Sequence, residues 1–213
     1  MAAELAELVS TWRTAVVTSE IQKGVIGEEA ALPELSQAAR ATMLPAVARL
    51  VRSARGAGVE VVHGTFARRI DGKGTNSNAR LFAGVARSPV KLLPGSEATQ
   101  VVDEVGVAPS DLVLTRSHGL NPMAGTDLDP VLRNLGVTTI VVVGVSVNVA
   151  ITNLVMDAVN LGYDVVLPRD AVCGVPAEYA NAVIDNTLSL LATVTTVDEL
   201  VALWDAWGGK DKA

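Results

Sequence analysis

The sequence predicts an α/β protein in which a mostly parallel six-stranded sheet lies between two layers of helices. Short runs of β-branched residues alternate with helix-length segments along the chain, which is typical of a parallel sheet with crossover helices. Several runs are apolar at every position, as expected for strands buried on both faces. With 49% hydrophobic and 19% charged residues, the 213-residue chain is not disordered. It carries no internal repeat or linker composition, so we expect one domain over residues 1–213.

The predicted strands are the most apolar short segments of the chain. Each is four to seven residues long, except the last, which has three. They cover residues 14–18, 59–63, 111–115, 138–144, 164–167 and 193–195.

The predicted helices lie between or after these strands. An Ala-rich segment over residues 34–57 has helical spacing, and Pro45 would kink or split it. Further helices are expected over residues 128–136, 148–161 and 176–191, and the first two of these end at a glycine. A capping-box pattern in residues 196–199 (TVDE) begins the last helix. This order of elements predicts a three-layer α/β/α, Rossmann-like fold.

Residues 66–95 do not fit the alternation of strands and helices. The segment contains a polar, turn-prone run at residues 71–78 (DGKGTNSN). We interpret it as a long surface excursion after the second strand. Long loops in compact domains often carry function.

Charge and cysteine content exclude several classes of function. The formal charge is −6 and there is no Lys/Arg-rich run, which argues against nucleic acid and anionic membranes as partners. The longest apolar run, residues 140–145, is too short to span a bilayer, and the N-terminal sequence does not resemble a secretion signal. We therefore expect a soluble, cytoplasmic protein. A single cysteine, Cys173, excludes an intramolecular disulfide and a multi-cysteine metal site.

Ligands of open parallel sheets bind outside the carboxyl ends of the strands. Residues that could contact a ligand lie at the carboxyl ends of four of the predicted strands and should therefore meet at one edge of the sheet. These are Glu20 and Gln22 after the first strand, His63 and Phe66 at the second, Arg116 and His118 at the third, and Ser146, Asn148, Val149 and Ala150 after the fourth.

The segment after the fourth strand carries the most specific motif. Residues 143–150 (VGVSVNVA), followed by Asp157-Ala158 and residues 161–165 (LGYDV), resemble the signature of the isochorismatase-like hydrolase superfamily. The resemblance continues in residues 169–171 (RDA), 125–128 (GTDL), 132–137 (LRNLGV) and 16–22 (VVTSEIQ). These matches follow the order of the family and run from about Thr14 to Leu203.

The resemblance implies three catalytic positions, and all three differ here. Amidases of the family use an Asp after strand one, a Lys after strand three and a nucleophilic Cys after strand four. The corresponding residues are Glu20, Arg116 and Ala150. The run from the third strand to the GTDL motif is one residue longer than usual, so Ser117 or His118 could fill the lysine position instead. An alanine methyl group cannot attack a carbonyl carbon, so no acyl-enzyme can form at position 150.

The resemblance also implies a reaction without cysteine. Isochorismatases proper have glycine at the nucleophile position and hydrolyse a vinyl ether, with a carboxyl group as general acid. Glu20 could act as that acid, or as a general base that activates water for attack on an amide. Arg116 would bind a substrate carboxylate or stabilise charge. A purely structural Glu20–Arg116 ion pair is the alternative interpretation.

The leading hypothesis is a hydrolase of a small carboxylate-bearing metabolite, cleaving a vinyl ether or a C–N bond with Glu20 as acid/base. The alternative is a catalytically silent relative that binds a small molecule or a partner protein. Substrate-binding candidates are His118, Ser146, Asn148, Val149, Phe66 and Gln22, although Asn148 could instead cap the following helix.

Further expectations come from the resemblance alone. No cofactor is implied, and no metal, because the Asp-x-His of nicotinamidase-like relatives does not occur in this sequence. The resemblance also implies a homo-oligomer, either a dimer or a tetramer, and a cis peptide bond between Val145 and Ser146. We interpret Cys173 as buried filler rather than as a relocated nucleophile.

Overall fold

The computed structural model describes residues 5–208, which contain a seven-stranded sheet with every strand pair parallel. The six predicted strands are confirmed, with ends that shift by at most three residues. The one strand that was not predicted, Val172–Cys173, has two residues, too few to show a sequence pattern. The strands are β1 (Thr14–Ser19), β2 (Glu60–Phe66), β3 (Leu112–Arg116), β4 (Thr139–Val145), β5 (Asp164–Pro168), β6 (Val172–Cys173) and β7 (Thr193–Thr195).

The strand order is β3-β2-β1-β4-β5-β7, and β6 pairs with β4. From β1 to β3, each successive strand lies one place further toward one edge of the sheet. From β4 to β7, the strands proceed toward the opposite edge. The direction therefore reverses between β1 and β4, where Ser19 is paired with Gly144. Such a switch point leaves a crevice at the carboxyl ends of the two strands.

The described part of the chain contains nine α-helices. They are α1 (Leu5–Leu8), α2 (Lys23–Ile26), α3 (Pro33–Ala41), α4 (Met43–Gly56), α5 (Arg80–Arg87), α6 (Leu128–Asn134), α7 (Thr152–Asn160), α8 (Ala177–Asn186) and α9 (Val197–Gly208). None of these helices is both long and apolar enough to cross a membrane.

Three of the predicted helices differ in detail. The expected helix over residues 176–191 ends at Asn186 as α8, and a 3-10 turn, Leu188–Leu190, follows it. The expected helix over residues 34–57 is divided into α3 and α4 at Thr42, and Pro45 lies in the first turn of α4, where a missing N–H costs little. The expected helix over residues 148–161 begins with a π-helical turn, Val147–Ile151, before α7. At α9 the capping box is confirmed, because Thr196 and Glu199 each accept a hydrogen bond from the other's backbone N–H.

The core lies on both faces of the sheet, which confirms the three layers. Side chains alternate along β1, so that Val16 packs into one hydrophobic cluster and Ala15 and Val17 into the other. The first cluster contains side chains from α3, α4 and α9, and the second contains side chains from α6, α7 and α8.

A buried polar network joins β1, β2, α4 and the start of β3. The His63 imidazole is fully buried, with Nδ1 3.0 Å from Thr18 Oγ1 and Nε2 3.3 Å from Asp111 Oδ2. Arg55 holds the same Asp111 carboxylate through Nε at 3.2 Å and Nη2 at 2.5 Å. Burial lowers the pKa of His63 despite the nearby Asp111. The neutral ring therefore accepts from Thr18 and donates to Asp111.

This network predicts acid-sensitive stability. Because the pKa of folded His63 is lowered from 6.5, the unfolded chain takes up a proton that the folded protein excludes as pH falls below 6.5. The free energy of unfolding should then fall by up to about 1.4 kcal/mol per pH unit. Urea unfolding between pH 8 and 5 measures this slope. His63→Gln should lower stability but flatten the slope, whereas His118→Gln should keep it. An unchanged slope in His63→Gln would contradict the prediction.

Candidate active site

The site lies at the carboxyl ends of the central strands, beside the switch point between β1 and β4. Glu20 directly follows β1, Phe66 and Arg116 end β2 and β3 and are paired with each other, and Ser146 directly follows β4. The strand register therefore brings together residues that are up to 126 positions apart in the sequence.

These residues border a cavity of about 270 Å³. Its wall is formed by the strand ends, by the segment that leads into α3, by the turn after β4 and by the excursion between β2 and β3. Most of the wall is apolar. Contributing side chains include Val25, Leu32, Leu35, Phe66, Phe82 and Leu92.

Glu20 and Arg116 form an ion pair on the cavity wall. Arg116 Nη2 donates a hydrogen bond to Glu20 Oε1, and the two side chains are 4% and 21% exposed. Glu20 has φ +53°, and it is the one residue other than glycine with positive φ among residues 5–208. Its backbone N–H donates to Gly64 O at 3.0 Å, which anchors this conformation to β2.

The Phe66 ring packs against the guanidinium of Arg116. The Arg116 guanidinium carbon lies 5.3 Å from the centre of the Phe66 ring, within cation–π range. Gln22 in turn fixes Phe66, because its Oε1 accepts from Phe66 N at 2.7 Å and its Nε2 donates to Phe66 O at 2.9 Å. The same Nε2 donates to Thr99 O at 3.0 Å. Gln22 is fully buried and does not line the cavity, so its prediction as a substrate-binding residue is corrected.

The turn after β4 supplies Ser146, Val149 and Ala150 to the cavity wall, as predicted. The peptide bond between Val145 and Ser146 is cis, which agrees with the resemblance. The Val149 N–H donates to Ser146 O at 3.1 Å, and the Ile151 N–H donates to the same oxygen at 3.0 Å. The Val149 amide is therefore already used within the turn.

Asn148 and His118 do not lie on the cavity wall. Asn148 lies within the π-helical turn, where its Nδ2 donates to Val175 O at 2.7 Å. It caps no helix, because its Oδ1 accepts no hydrogen bond from the described residues. It borders a neighbouring depression that also contains Ser146. His118 does not line the cavity and its Cε1 lies near Gly125, 3.4 Å from where a β-carbon would stand, while the next residue, Gly119, lines the cavity. The structure therefore places these two side chains outside this cavity, and their substrate-binding roles stay predictions.

Sequence reasoning missed the individual residues that the excursion contributes. Arg68, Thr75, Phe82 and Val85 all line the cavity, the last two from α5. The excursion was predicted to be functional, but it contains a helix rather than loop alone. The amphipathic spacing of Leu81, Phe82 and Val85 was the signal that could have identified this helix.

Cys173 lies in β6, is buried and is not on the cavity wall. Burial raises the pKa of its thiol, which disfavours the reactive thiolate. The interpretation of Cys173 as a buried packing residue agrees with this placement. Within residues 5–208, no three His, Cys, Asp or Glu side chains are grouped so that they could hold a metal ion.

Comparisons with known proteins agree with this architecture. The isochorismatase domain family model matches residues 14–199. An uncharacterized isochorismatase family protein, YecD, of Escherichia coli O157:H7 is 33% identical over 117 residues, covering 54% of this chain and 61% of that protein. An N-carbamoylsarcosine amidase of Arthrobacter sp is 26% identical over 134 residues, covering 62% of this chain and 49% of the amidase. The matched region thus spans about half to three-fifths of the length of these curated relatives.

A solved structure shares the fold over nearly the whole chain. The cysteine hydrolase from Pseudomonas syringae pv. phaseolicola 1448A superposes with a TM-score of 0.83 and 23% sequence identity. The match covers 97% of this chain and 100% of that one. At this identity, the likeness establishes the fold alone.

Proposed function

The chain belongs to the isochorismatase family, and on that premise we propose that it hydrolyses a C–N bond of a small carboxylate-bearing metabolite with Glu20 as acid/base and no cysteine nucleophile. Ala150 takes the position of the family's nucleophile, and its methyl group cannot form an acyl-enzyme. Water is then the nucleophile, and the catalytic group must move its proton.

The placement of Glu20 is the observation that carries this proposal. A left-handed backbone costs a residue with a side chain about 1–2 kcal/mol, and such conformations cluster at functional sites. Here the conformation puts a carboxylate on the wall of a largely apolar cavity, next to a buried guanidinium. A purely structural ion pair would not require this backbone conformation.

The geometry supports general-base chemistry more than general-acid chemistry. Arg116 occupies Glu20 Oε1 and stabilises the negative charge of the carboxylate. In the described part of the chain no group donates to Oε2, which can therefore accept a proton from water. The resulting hydroxide adds to the carbonyl carbon, and the C–N bond then breaks as Glu20 returns the proton to the leaving nitrogen. Vinyl ether cleavage would instead need Glu20 protonated at the start.

A specific observation also favours the alternative, a silent relative that binds a small molecule or a partner protein. Glu20 and Arg116 satisfy each other's charge, and Ala150 offers no reactive atom. An intact cavity without chemistry would look the same in this respect. The choice between the two therefore depends on turnover.

A hydrolysis screen of wild type and Ala150→Cys separates the two functions. The panel contains small amides, N-carbamoyl and ureido acids, and vinyl ethers such as isochorismate, with product formation followed by mass spectrometry. We expect the wild type to hydrolyse a C–N substrate, and Ala150→Cys to change its rate less than about tenfold, because a water mechanism needs no thiol. Ala83→Cys, which adds a thiol elsewhere on the cavity wall, is the matched control.

Activity found in Ala150→Cys alone would contradict the proposed function. It would show that the cavity still binds substrates but that the natural protein lacks the chemistry. In that case the alternative, a silent relative that binds a small molecule or a partner protein, becomes the preferred function.

A further inference from the structure

The charges on the cavity wall do not cancel. Of the described residues that line the cavity, three carry charge: Glu20, Arg68 and Arg116. Glu20 and Arg116 neutralise each other in their ion pair. The Arg68 guanidinium remains as a net positive charge beside a mostly apolar wall. In such surroundings a cation attracts an anionic ligand group more strongly than it would in water.

Arg68 is held in place at its backbone but not at its guanidinium. Its N–H donates to Leu92 O at 2.8 Å, which fixes the start of the excursion. Its Nη2 lies beside Gly72, 2.7 Å from where a β-carbon would stand, and Gly72 also lines the cavity. Arg68 is a half-buried residue, and within residues 5–208 its guanidinium has neither a carboxylate partner nor a hydrogen-bond acceptor.

The neighbouring arginine shows the opposite arrangement. Arg69 donates two hydrogen bonds to the Asp71 carboxylate, both at 3.0 Å, and its side chain is 66% exposed. Arg69 is therefore satisfied within its own turn and is absent from the cavity wall. Of the two adjacent guanidinium groups, only that of Arg68 lines the cavity and has no carboxylate partner among the described residues.

Thr75 supplies a further unsatisfied donor on the same wall, in the same excursion as Arg68. Thr75 Oγ1 is buried and has no hydrogen-bond partner among the described residues. Buried hydroxyl groups are normally hydrogen-bonded, so an unpaired one at a cavity indicates a missing partner. A hydroxyl and a guanidinium together suit a planar carboxylate, which accepts from both.

We propose that Arg68 binds the carboxylate of the substrate and that Thr75 donates a further hydrogen bond to it. This inference rests on the proposed function, because it takes the cavity beside Glu20 as the substrate site. It moves the anion-binding role predicted for Arg116 to a residue of the excursion, because the charge of Arg116 is already neutralised by Glu20. Arg116 Nε and Nη1 have no hydrogen-bond partner among the described residues and remain as donors on the same wall. The preferred ligands are then small anions with an apolar body, matching the apolar remainder of the wall.

Binding of simple acids and their amides tests the proposal without catalysis. Isothermal titration calorimetry compares phenylacetate with phenylacetamide, and hexanoate with hexanamide, on the full chain. The wild type should bind each acid more tightly than its amide. Arg68→Gln should weaken acid binding by about 10- to 100-fold, because a hydrogen bond to a charged group is lost. It should leave amide binding unchanged, Arg68→Lys should restore part of the affinity, and Thr75→Val should weaken acid binding severalfold.

Arg69→Gln is the matched control, since it removes the same charge from the adjacent residue. It should leave acid binding within about twofold of the wild type, because Arg69 is not on the wall. Equal losses in Arg68→Gln and Arg69→Gln would overturn the proposal, as would a wild type that binds no acid more tightly than its amide. Glu20→Gln should still bind the acids, so a failure of the catalytic proposal would leave this result standing.

Discussion

Glu20→Gln should lower kcat for the hydrolysis reaction by about 10²- to 10⁴-fold, the usual contribution of a general acid or base. Gln keeps the size of the side chain, and its carbonyl oxygen can still accept from Arg116 Nη2. It cannot take a proton from water, so KM should change much less than kcat. Steady-state kinetics on the best substrate of the panel measures both constants.

The control for this prediction is Glu97→Gln. Glu97 is an exposed partner of Lys23, at 3.2 Å, and lies outside the cavity wall. It should leave kcat unchanged. A thermal melt of Glu20→Gln checks that the protein is folded, since breaking a buried ion pair can destabilise it. A folded Glu20→Gln protein with the kcat of the wild type would show that Glu20 is not the acid/base.

Gly144→Ala should destabilise the protein by about 3 kcal/mol or more, or prevent folding. Gly144 has φ +109°, and a β-carbon there would stand 2.2 Å from Ser19 O and 3.0 Å from Ser19 N. The clash is with the backbone of β1, which cannot move without disturbing its pairing with β4. The estimate combines the cost of the backbone conformation with the cost of overpacking. Urea unfolding measures the change.

Gly56→Ala is the matched substitution without a clash. Gly56 ends α4, and an added β-carbon there meets no atom within 4 Å. The free energy of unfolding should stay the same or rise by up to about 1 kcal/mol, because alanine favours the helix. A loss below about 1 kcal/mol in Gly144→Ala would mean that β1 and β4 are less closely held than their register indicates.

The sequence was sufficient for the order of strands and helices, because each element leaves a local pattern. The apolar run in β4 and the capping box of α9 are examples. Strand β6 was missed because two residues cannot show periodicity. The excursion after β2 was recognised by its composition, but α5 within it was not.

The sequence also determined which residues follow the carboxyl ends of the strands, and it placed Glu20, Arg116 and Ala150 in one candidate site. The side-chain contacts depended on tertiary structure. Local sequence does not reveal that Gln22 is used up in holding Phe66, or that Arg69 is paired while Arg68 is not. Phe66 lies in a different strand from the segment that holds Gln22, and their distance is fixed only when the strands align. Asp71 lies two residues from Arg69, but only the fold decides that it pairs with Arg69 and that Arg68 lines the cavity. By itself the sequence determined the fold and the chemistry available at one edge of the sheet. The tertiary structure decided which of those side chains remain free to meet a ligand.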